Sequence, residues 1–304
     1  MNDHILDFTT KIDRSPSGEV LRGSIDFHLH FGPDTSPRRF DVIETALNAR
    51  EAGLRGIVLK NRSYPTAPLA TLVQRLVPDL SVFGGVCLEY NVGGLNLDAV
   101  EIAAKLGGKV VWMPVLDAKN SINLVRRVLG HKLTGDGISI VDDKGKLVPE
   151  VVEIVKAIKE HDMVLATGHI SAREIMCLAD KALQLGLKKM VVTHAMSDYL
   201  SESILTPEER AELAGAGIVI EHTAWQVSPV GGKTRPEEVA ASIKREGVAN
   251  CILSTDGGGV IHPTASEAMR MFIGSLLKSG LTEADLNCMV KTNPARLLGL
   301  SDPN

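Results

Sequence analysis

Residues 24–30 (SIDFHLH) form a short apolar run that ends in two histidines, His28 and His30. In a β-strand, side chains at positions i and i+2 point to the same face of the sheet. Both imidazoles are therefore predicted to project together from a strand end, because the sequence FGPD at 31–34 stops the strand. Histidine is the commonest metal ligand, so the pair is a candidate metal site. A lone His-x-His is a weak signal, and its weight depends on the residues at the ends of the other strands.

Short runs rich in β-branched residues recur along the chain and alternate with helical patterns. Nearly continuous apolar character, as at 190–192 (MVV) and 251–253 (CIL), indicates strands that are buried on both faces, as in parallel sheets. The predicted strands span residues 24–30, 56–60, 81–87, 109–115, 163–167, 189–194, 217–222 and 250–256. The helical patterns cover residues 40–52, 96–106, 149–161, 171–185, 207–214 and 236–246.

Eight alternating strand–helix units in about 250 residues predict an α/β fold of the (β/α)8 TIM-barrel type. Residues 23–304 are predicted to form this single domain, and residues 1–22 an N-terminal extension that packs outside it. Residues 137–148 (GISIVDDKGKLV) predict a hairpin insertion between strands four and five. A doubly wound open sheet is the rival fold, but no Gly-x-Gly-x-x-Gly follows the first predicted strand.

The composition restricts the partners and the compartment. Of the 304 residues 44% are hydrophobic, and the formal net charge of −4 gives no electrostatic reason to expect nucleic acid or a membrane as a partner. The four cysteines include no Cys-x-x-Cys pair, which suits a reducing cytoplasm. We therefore expect a cytoplasmic protein. Apolar helical faces such as 268–277 serve either the core or the interface of a homo-oligomer.

Polar side chains follow most of the predicted strands, at the ends where catalytic residues lie in this architecture. Five of the nine histidines are among them, together with an aspartate. A buried neutral imidazole is as common as a metal ligand for any one histidine, but six such residues converging on one rim indicate a metal site. The strand-end residues are His28, His30, Lys60, Asn61, His169, His194, Glu221, His222 and Asp256.

With these residues the chain resembles the amidohydrolase superfamily of metal-dependent (β/α)8-barrel hydrolases. The resemblance rests on the HLH motif at 28–30, His169 after strand five, His194 after strand six and Asp256 after strand eight. Within that superfamily, residues 25–300 are similar to an uncharacterised family of amidohydrolase-like bacterial proteins. The segments that carry this similarity are LK at 59–60, FGG at 83–85, VGGLN at 92–96, VWMP at 111–114, TGHIS at 167–171 and TNPARLLGL at 292–300.

The resemblance implies a divalent metal, zinc first with manganese or iron as alternatives, at one or two ions per chain. It implies that His28, His30 and Asp256 hold one metal and that Asp256 also takes a proton from the attacking water. His169 and His194 then hold a second metal, or in a one-metal site divide between binding the metal and orienting water.

Many two-metal members bridge their ions with a carboxylated lysine from strand four, and this chain has no lysine at the tip of that strand. Lys60, at the tip of strand two, is the preferred substitute and a candidate catalytic residue. An ion pair between Lys60 and a carboxylate such as Glu89 is the alternative. Glu89, just past strand three, is the second candidate for the bridge.

Other polar residues are weaker candidates for the site. His222 is predicted to act in catalysis or to contact the metal, with packing in the core as the alternative. Glu221, by strand alternation, is expected to face the helices. Asp34, Arg38 and Arg62 lie on loops above strands one and two, where they either bind a charged substrate or are solvated.

The predicted activity is hydrolysis of an amide, cyclic amide, lactone or related bond of a small molecule by metal-activated water. A metal-dependent lyase, either a hydratase or a decarboxylase, is the alternative on the same barrel. A phosphoesterase is less favoured, because that His-x-His class closes with Asp-x-His and residues 256–258 (DGG) lack the histidine. A non-catalytic barrel predicts that the strand-end polar groups do not converge.

Overall fold

A computed structural model describes residues 13–129, 135–197 and 201–301, and in this part of the chain short strands alternate with helices. The strands are β1 (Ile25–Leu29), β2 (Gly56–Leu59), β3 (Ser81–Phe83), β4 (Gly85–Cys87), β5 (Val110–Trp112), β6 (Val164–Ala166), β7 (Met190–Val192), β8 (Val219–Thr223) and β9 (Cys251–Ser254). The helices are α1 (Pro16–Leu21), α2 (Val42–Glu51), α3 (Ala67–Leu76), α4 (Leu97–Lys105), α5 (Lys119–Leu129), α6 (Pro149–Glu160), α7 (Ala172–Gln184), α8 (Pro207–Gly215), α9 (Pro236–Glu246), α10 (Ala265–Lys278), α11 (Glu283–Asn287) and α12 (Asn293–Leu298). Single 3-10 turns cover Tyr90–Val92, Ala224–Val227 and Val248–Asn250, and a π-helical turn covers Cys288–Thr292.

The strands pair in parallel and in sequence order, as β1-β2-β3 and as β4 through β9. The third predicted strand is divided in two at Gly84, where the backbone of Thr66 packs so closely that a Cβ would overlap it. The ends of β1 and β9 also meet, through a parallel bridge between Leu29 and Gly257 and a 2.8 Å bond from Asp256 N to the His28 carbonyl. The predicted α/β architecture with parallel strands is therefore confirmed.

Buried apolar side chains form two clusters, because successive strand residues point to opposite faces. On one face Ile220 of β8 and Leu253 of β9 pack with helix residues such as Ile243. On the other face Val219 and Ile252 pack with the apolar residues of neighbouring strands. Side chains at the strand ends therefore belong to one face or the other, according to their position in the strand.

The segment predicted as a hairpin forms a tight turn with a single antiparallel bridge, between Val141 and Leu147, and no strand. It lies between β5 and β6 and is fixed to α7 by Glu174, which accepts hydrogen bonds from Ser139 Oγ at 2.8 Å and from Ile140 N at 2.9 Å. A buried Ile140 anchors the turn in the core. The location of the insertion agrees with the prediction, but its extended arms do not form.

The predicted N-terminal extension lies partly outside the described residues, which begin at residue 13. Within it, α1 packs against α10 and α11 and buries Val20 and Leu21. The division into an extension and one domain remains a prediction. Among the described residues, no helix has both the length and the apolar character needed to cross a membrane.

Candidate metal centre

The carboxyl ends of β1 and β9 bring together His28, His30 and Asp256, which we call the strand-end cluster. Asp256 Oδ1 lies 3.0 Å from His28 Nε2 and 3.1 Å from His30 Nε2. The candidate ligand atoms of the three residues all lie within 4.8 Å of one another. Two imidazole nitrogens and one carboxylate oxygen at this spacing match the ligands that a catalytic zinc site uses.

The local backbone explains how this cluster forms. The pairing of β1 with β2 is irregular between Asp26 and Leu29, and such a bulge re-aims side chains next to active sites. Below it the Asp26 carboxylate accepts hydrogen bonds from Thr255 N at 3.0 Å and Thr255 Oγ1 at 2.5 Å, which ties β1 to the end of β9. Burial raises the pKa of Asp26 to about 7.

Backbone strain also concentrates at the strand ends. Asp256 (φ 50°) and His194 (φ 30°) are two of the three non-glycine residues with positive φ in the described part of the chain. Such conformations cost of order 1–3 kcal/mol and cluster at functional sites. The chain also passes close to the site at Gly258 (φ 116°), where a Cβ would overlap the carbonyl oxygen of His30.

Glu221 orients His28 from the side away from Asp256. Both carboxylate oxygens of Glu221 lie 3.2 Å from His28 Nδ1, and Glu221 also accepts from His194 N at 2.8 Å and from Ser254 Oγ at 2.6 Å. Burial opposes ionisation of Glu221, but His28 and the hydrogen bonds outweigh it and lower its pKa to about 2. A carboxylate on Nδ1 leaves Nε2 facing the cluster, which is the usual arrangement behind a metal-binding histidine.

Two of the remaining predicted ligands, His169 and His194, lie beside the cluster. The rings of His169 and His194 are 4.7 Å apart between centroids, and the His194 ring is 6.0 Å from that of His28. His169 Nδ1 lies 3.1 Å from Ser121 Oγ. Burial lowers the pKa of His194 to about 4 and holds the pKa of His169 well below its usual value. Both rings are therefore neutral near pH 7, as metal ligation requires.

Lys60 lies at the cluster, whereas the Glu89 carboxylate is engaged by backbone N–H groups. Lys60 is 1% exposed, and its Nζ is 3.0 Å from His28 Nε2 and 5.6 Å from the centroid of the Trp112 ring. Within the described ranges Lys60 forms no ion pair, so the alternative of a Lys60–Glu89 pair is wrong. The Glu89 carboxylate instead accepts hydrogen bonds from Val115 N at 2.5 Å and from Asp117 N at 2.9 Å.

The predicted orientation of Glu221 and His222 is wrong. Glu221 faces the strand-end cluster, and His222 faces the helices, where its Nε2 lies 2.8 Å from Glu246 Oε2 of α9. Alternation correctly places the two side chains on opposite faces of β8 but does not say which face is which. The register of β8 decides, because Glu221 pairs with Ile252, and Ile252 belongs to the same apolar cluster as Val219. His222 is thus removed from the candidate catalytic residues.

The strand-end cluster lies at a cavity of about 210 Å³. The lining residues are His30, Ser36, Arg38, Lys60, Arg62, Val115, Leu116, His169, Trp225 and Asp256. Trp225 also lines a neighbouring, mainly apolar cavity of about 310 Å³, and its ring is 4.0 Å from that of His262. The site therefore combines candidate ligands with space for a small molecule.

A model of a protein family described as a family of unknown function, DUF6282, matches residues 23–221. This chain belongs to the DUF6282 family. No curated protein matches it.

Solved structures similar to this DUF6282 protein share its fold at low sequence identity. The probable dipeptidase PvdM from Pseudomonas aeruginosa is 14% identical over 93% of this chain and 96% of its own, with a TM-score of 0.63. An amidohydrolase from Pseudomonas aeruginosa is 14% identical over 93% and 98%, with a TM-score of 0.61. A 2,6-dihydroxybenzoate decarboxylase from Rhizobium is 13% identical over 91% and 99%, with a TM-score of 0.55. The predicted resemblance to amidohydrolase-type proteins is confirmed at the level of the fold.

Sequence reasoning misses two of the residues that support the site in this DUF6282 protein. Strand alternation alone assigns Glu221 to the wrong face, although its position one residue before a strand-end histidine is a usable signal. Ser121, which contacts His169, belongs to α5 and not to a strand end. No local pattern marks such a residue, because its role depends on how the helix packs.

Proposed function

We propose that this protein is a metal-dependent hydrolase that acts on an amide, cyclic amide, lactone or related bond of a small molecule. The observation that carries the proposal is the convergence of His28, His30 and Asp256, with ligand atoms within 4.8 Å of one another, at a cavity. The fold it shares with a probable dipeptidase and an amidohydrolase supports the same reaction class.

The proposed architecture is a closed (β/α)8 barrel. Its support is the parallel strand order, the continuity of β3 and β4 around Gly84, and the bridge from Leu29 to Gly257 that joins the first strand to the last. In a barrel of this type the carboxyl ends of the strands carry the active site, and the strand-end cluster lies at these ends.

The donor set fits a divalent metal. Asp256 contacts His28 and His30, and these histidines outweigh the effect of desolvation and hold its pKa well below its usual value. Burial and Arg38 hold the pKa of His30 well below its usual value, so its ring is a neutral donor.

Burial and Lys60 oppose a proton on His28, whereas Asp256 and Glu221 favour it and raise its pKa to about 9. His28 must therefore release a proton when a metal binds.

We propose His28, His30 and Asp256 as ligands of one metal, with His169 and His194 as ligands of a second or as groups that orient water. Zinc suits this mixture of imidazole and carboxylate, and manganese or iron are alternatives. A bound divalent ion lowers the pKa of its water from 15.7 towards about 7.

The chain's own residues then position and deprotonate the reactants. Asp256 accepts the proton of the attacking water at its carboxylate, since it is the only carboxylate among the described residues that line the cavity. Glu221 holds His28 with Nε2 towards the cluster. In a two-metal site, Lys60 would hold both ions if carbon dioxide added to its Nζ with loss of a proton. Replacing it in Lys60→Ala should reduce two metals per chain to one, and a retained count of two excludes it as the bridge.

The lyase alternative has its own support in the shared fold of the Rhizobium decarboxylase. A screen of metal-loaded protein separates the reactions. We expect release of a new carboxylate from dipeptides, N-acyl amino acids, cyclic amides or lactones. Carbon dioxide from carboxylated acids, or water addition to unsaturated acids, with no hydrolysis would establish the lyase instead. Turnover that survives metal removal by a chelator contradicts both reactions.

A further inference from the structure

The cavity beside the strand-end cluster has an excess of positive side chains. Arg38 and Arg62, from the loops after β1 and β2, line it. Asp256 is the only carboxylate among the described lining residues, and it is already engaged by two histidines. A wall with this charge raises the local concentration of anions and favours a negatively charged ligand.

The two arginines differ in how their charge is balanced. Arg38 donates from Nε at 2.7 Å and from Nη2 at 2.6 Å to Asp34 Oδ2, so a buried carboxylate neutralises it. Arg62 donates from Nη2 to Ser36 Oγ at 3.0 Å and, within the described ranges, forms no ion pair. Ser36 thus fixes the Arg62 guanidinium at the cavity wall without neutralising it.

The net positive charge at the cavity wall limits which anion the cavity can bind. Burial opposes ionisation of Asp34, but Arg38 and Arg62 outweigh it and lower its pKa, so Asp34 is charged. Together Asp34, Arg38 and Arg62 carry one net positive charge. A single carboxylate balances that charge, whereas a phosphate carries about −1.5 to −2 charges at pH 7. The planar guanidinium also matches the two oxygens of a carboxylate.

We propose that Arg62, with Arg38 beside it, binds a carboxylate group of the substrate. The proposed hydrolase then acts on a small carboxylic acid whose reacting bond lies over the strand-end cluster. The inference rests on the proposed function for the position of the reacting bond. The cavity volume of about 210 Å³ restricts the ligand to a small molecule.

Calorimetric titration of zinc-loaded protein with succinate, and with its neutral analogue succinamide, tests this carboxylate site. Arg62→Gln should weaken succinate binding by about tenfold or more, since a hydrogen bond to a charged group contributes ~1.5–3 kcal/mol. Arg50→Gln on the exposed end of α2 removes the same charge at a distance and should leave binding unchanged. Succinamide should bind weakly to every form. Succinate binding to Arg62→Gln within twofold of the wild type, or succinamide binding as tight as succinate, overturns the inference.

The same samples separate this inference from the proposed function. Zinc content is measured before each titration. A wild-type protein that takes up no zinc contradicts the proposed metal-dependent reaction. Zinc-loaded protein in which Arg62→Gln changes nothing contradicts only the carboxylate site.

Discussion

Two clusters in the described part of this protein combine histidine with a carboxylate at close spacing, yet their surroundings differ. The strand-end cluster comprises His28, His30 and Asp256. The second, which we call the helix-side cluster, comprises His222, Glu246 and Cys251. In each, the candidate ligand atoms lie within 4.8 Å of one another. The Asp256 side chain is 18% exposed and lines a cavity, whereas the Glu246 side chain is 0% exposed.

In the helix-side cluster, the carboxylate is already paired with a cation, the guanidinium of Arg210. Glu246 accepts hydrogen bonds from Arg210 Nε at 2.9 Å and Ser242 Oγ at 2.6 Å, and its second oxygen lies 2.8 Å from His222 Nε2. The guanidinium balances the carboxylate, so a metal ion would have to displace a buried salt bridge. Spacing of ligand atoms alone does not identify a metal site. Access to a cavity distinguishes the strand-end cluster, and its carboxylate contacts two histidines rather than an arginine.

The largest expected effect of a single substitution is on turnover. Asp256→Asn removes the proposed proton acceptor and one metal ligand, so kcat/KM should fall by about 10³-fold or more. The melting temperature should change little, because the substitution keeps the size of the side chain. Asp180→Asn, on an exposed position of α7, is the matched control and should retain full activity. Near-normal turnover of Asp256→Asn would reject the proton-transfer role.

A substitution in the helix-side cluster should lower the free energy of unfolding and leave the metal content unchanged. Glu246→Gln leaves the Arg210 charge buried without its partner, which costs about 3–5 kcal/mol of the free energy of unfolding. Urea denaturation measures this loss, and metal analysis of the folded variant should show the wild-type content. A variant that loses metal while its stability is unchanged would reverse the assignment of the two clusters.

The neighbours Glu221 and His222 offer a test on adjacent residues of one strand. Glu221→Gln removes the carboxylate that orients His28, and loss of such a partner lowers metal affinity by about 10–100-fold. His222→Gln alters the opposite face of β8 and should leave metal affinity unchanged. Competition with a chelator measures both affinities. Equal losses in the two variants would contradict the orientation found for β8.

The order of elements was predictable because apolar runs and helical periods alternate strongly along the chain. The segment 137–148 was not, because its β-branched residues favour strands whereas Glu174 and the buried Ile140 fix it as a turn against α7. The histidines and Asp256 could be placed because each follows a recognisable strand. The face on which Glu221 lies depends on the register of β8 with its neighbouring strands. That register is set by pairing between residues that are distant in sequence.

The smallest expected effect is on the pH dependence of stability. Burial opposes ionisation of Glu246, but its bonds with His222, Ser242 and Arg210 lower its pKa from 4.5 to about 2. Because the pKa is lower in the folded state, this stabilisation is complete above about pH 4.5 and is lost as the pH falls towards 2. The difference in unfolding free energy between wild type and Glu246→Gln should therefore be constant above pH 5 and narrow below it. Urea titrations between pH 6 and 3.5 measure this difference, and one that widens with acid would contradict the pairing.

Metal content of the chain tests the central claim most directly. Purified protein is stripped with a chelator, incubated with zinc or manganese, desalted and analysed for metal per folded chain. We predict one or two divalent ions in the wild type and in His222→Gln, and loss of at least one ion in the double variant His28→Gln/His30→Gln with its fold retained. A wild type that binds no metal, or a double variant that keeps the full wild-type content, would contradict the assignment of the strand-end cluster as a metal centre.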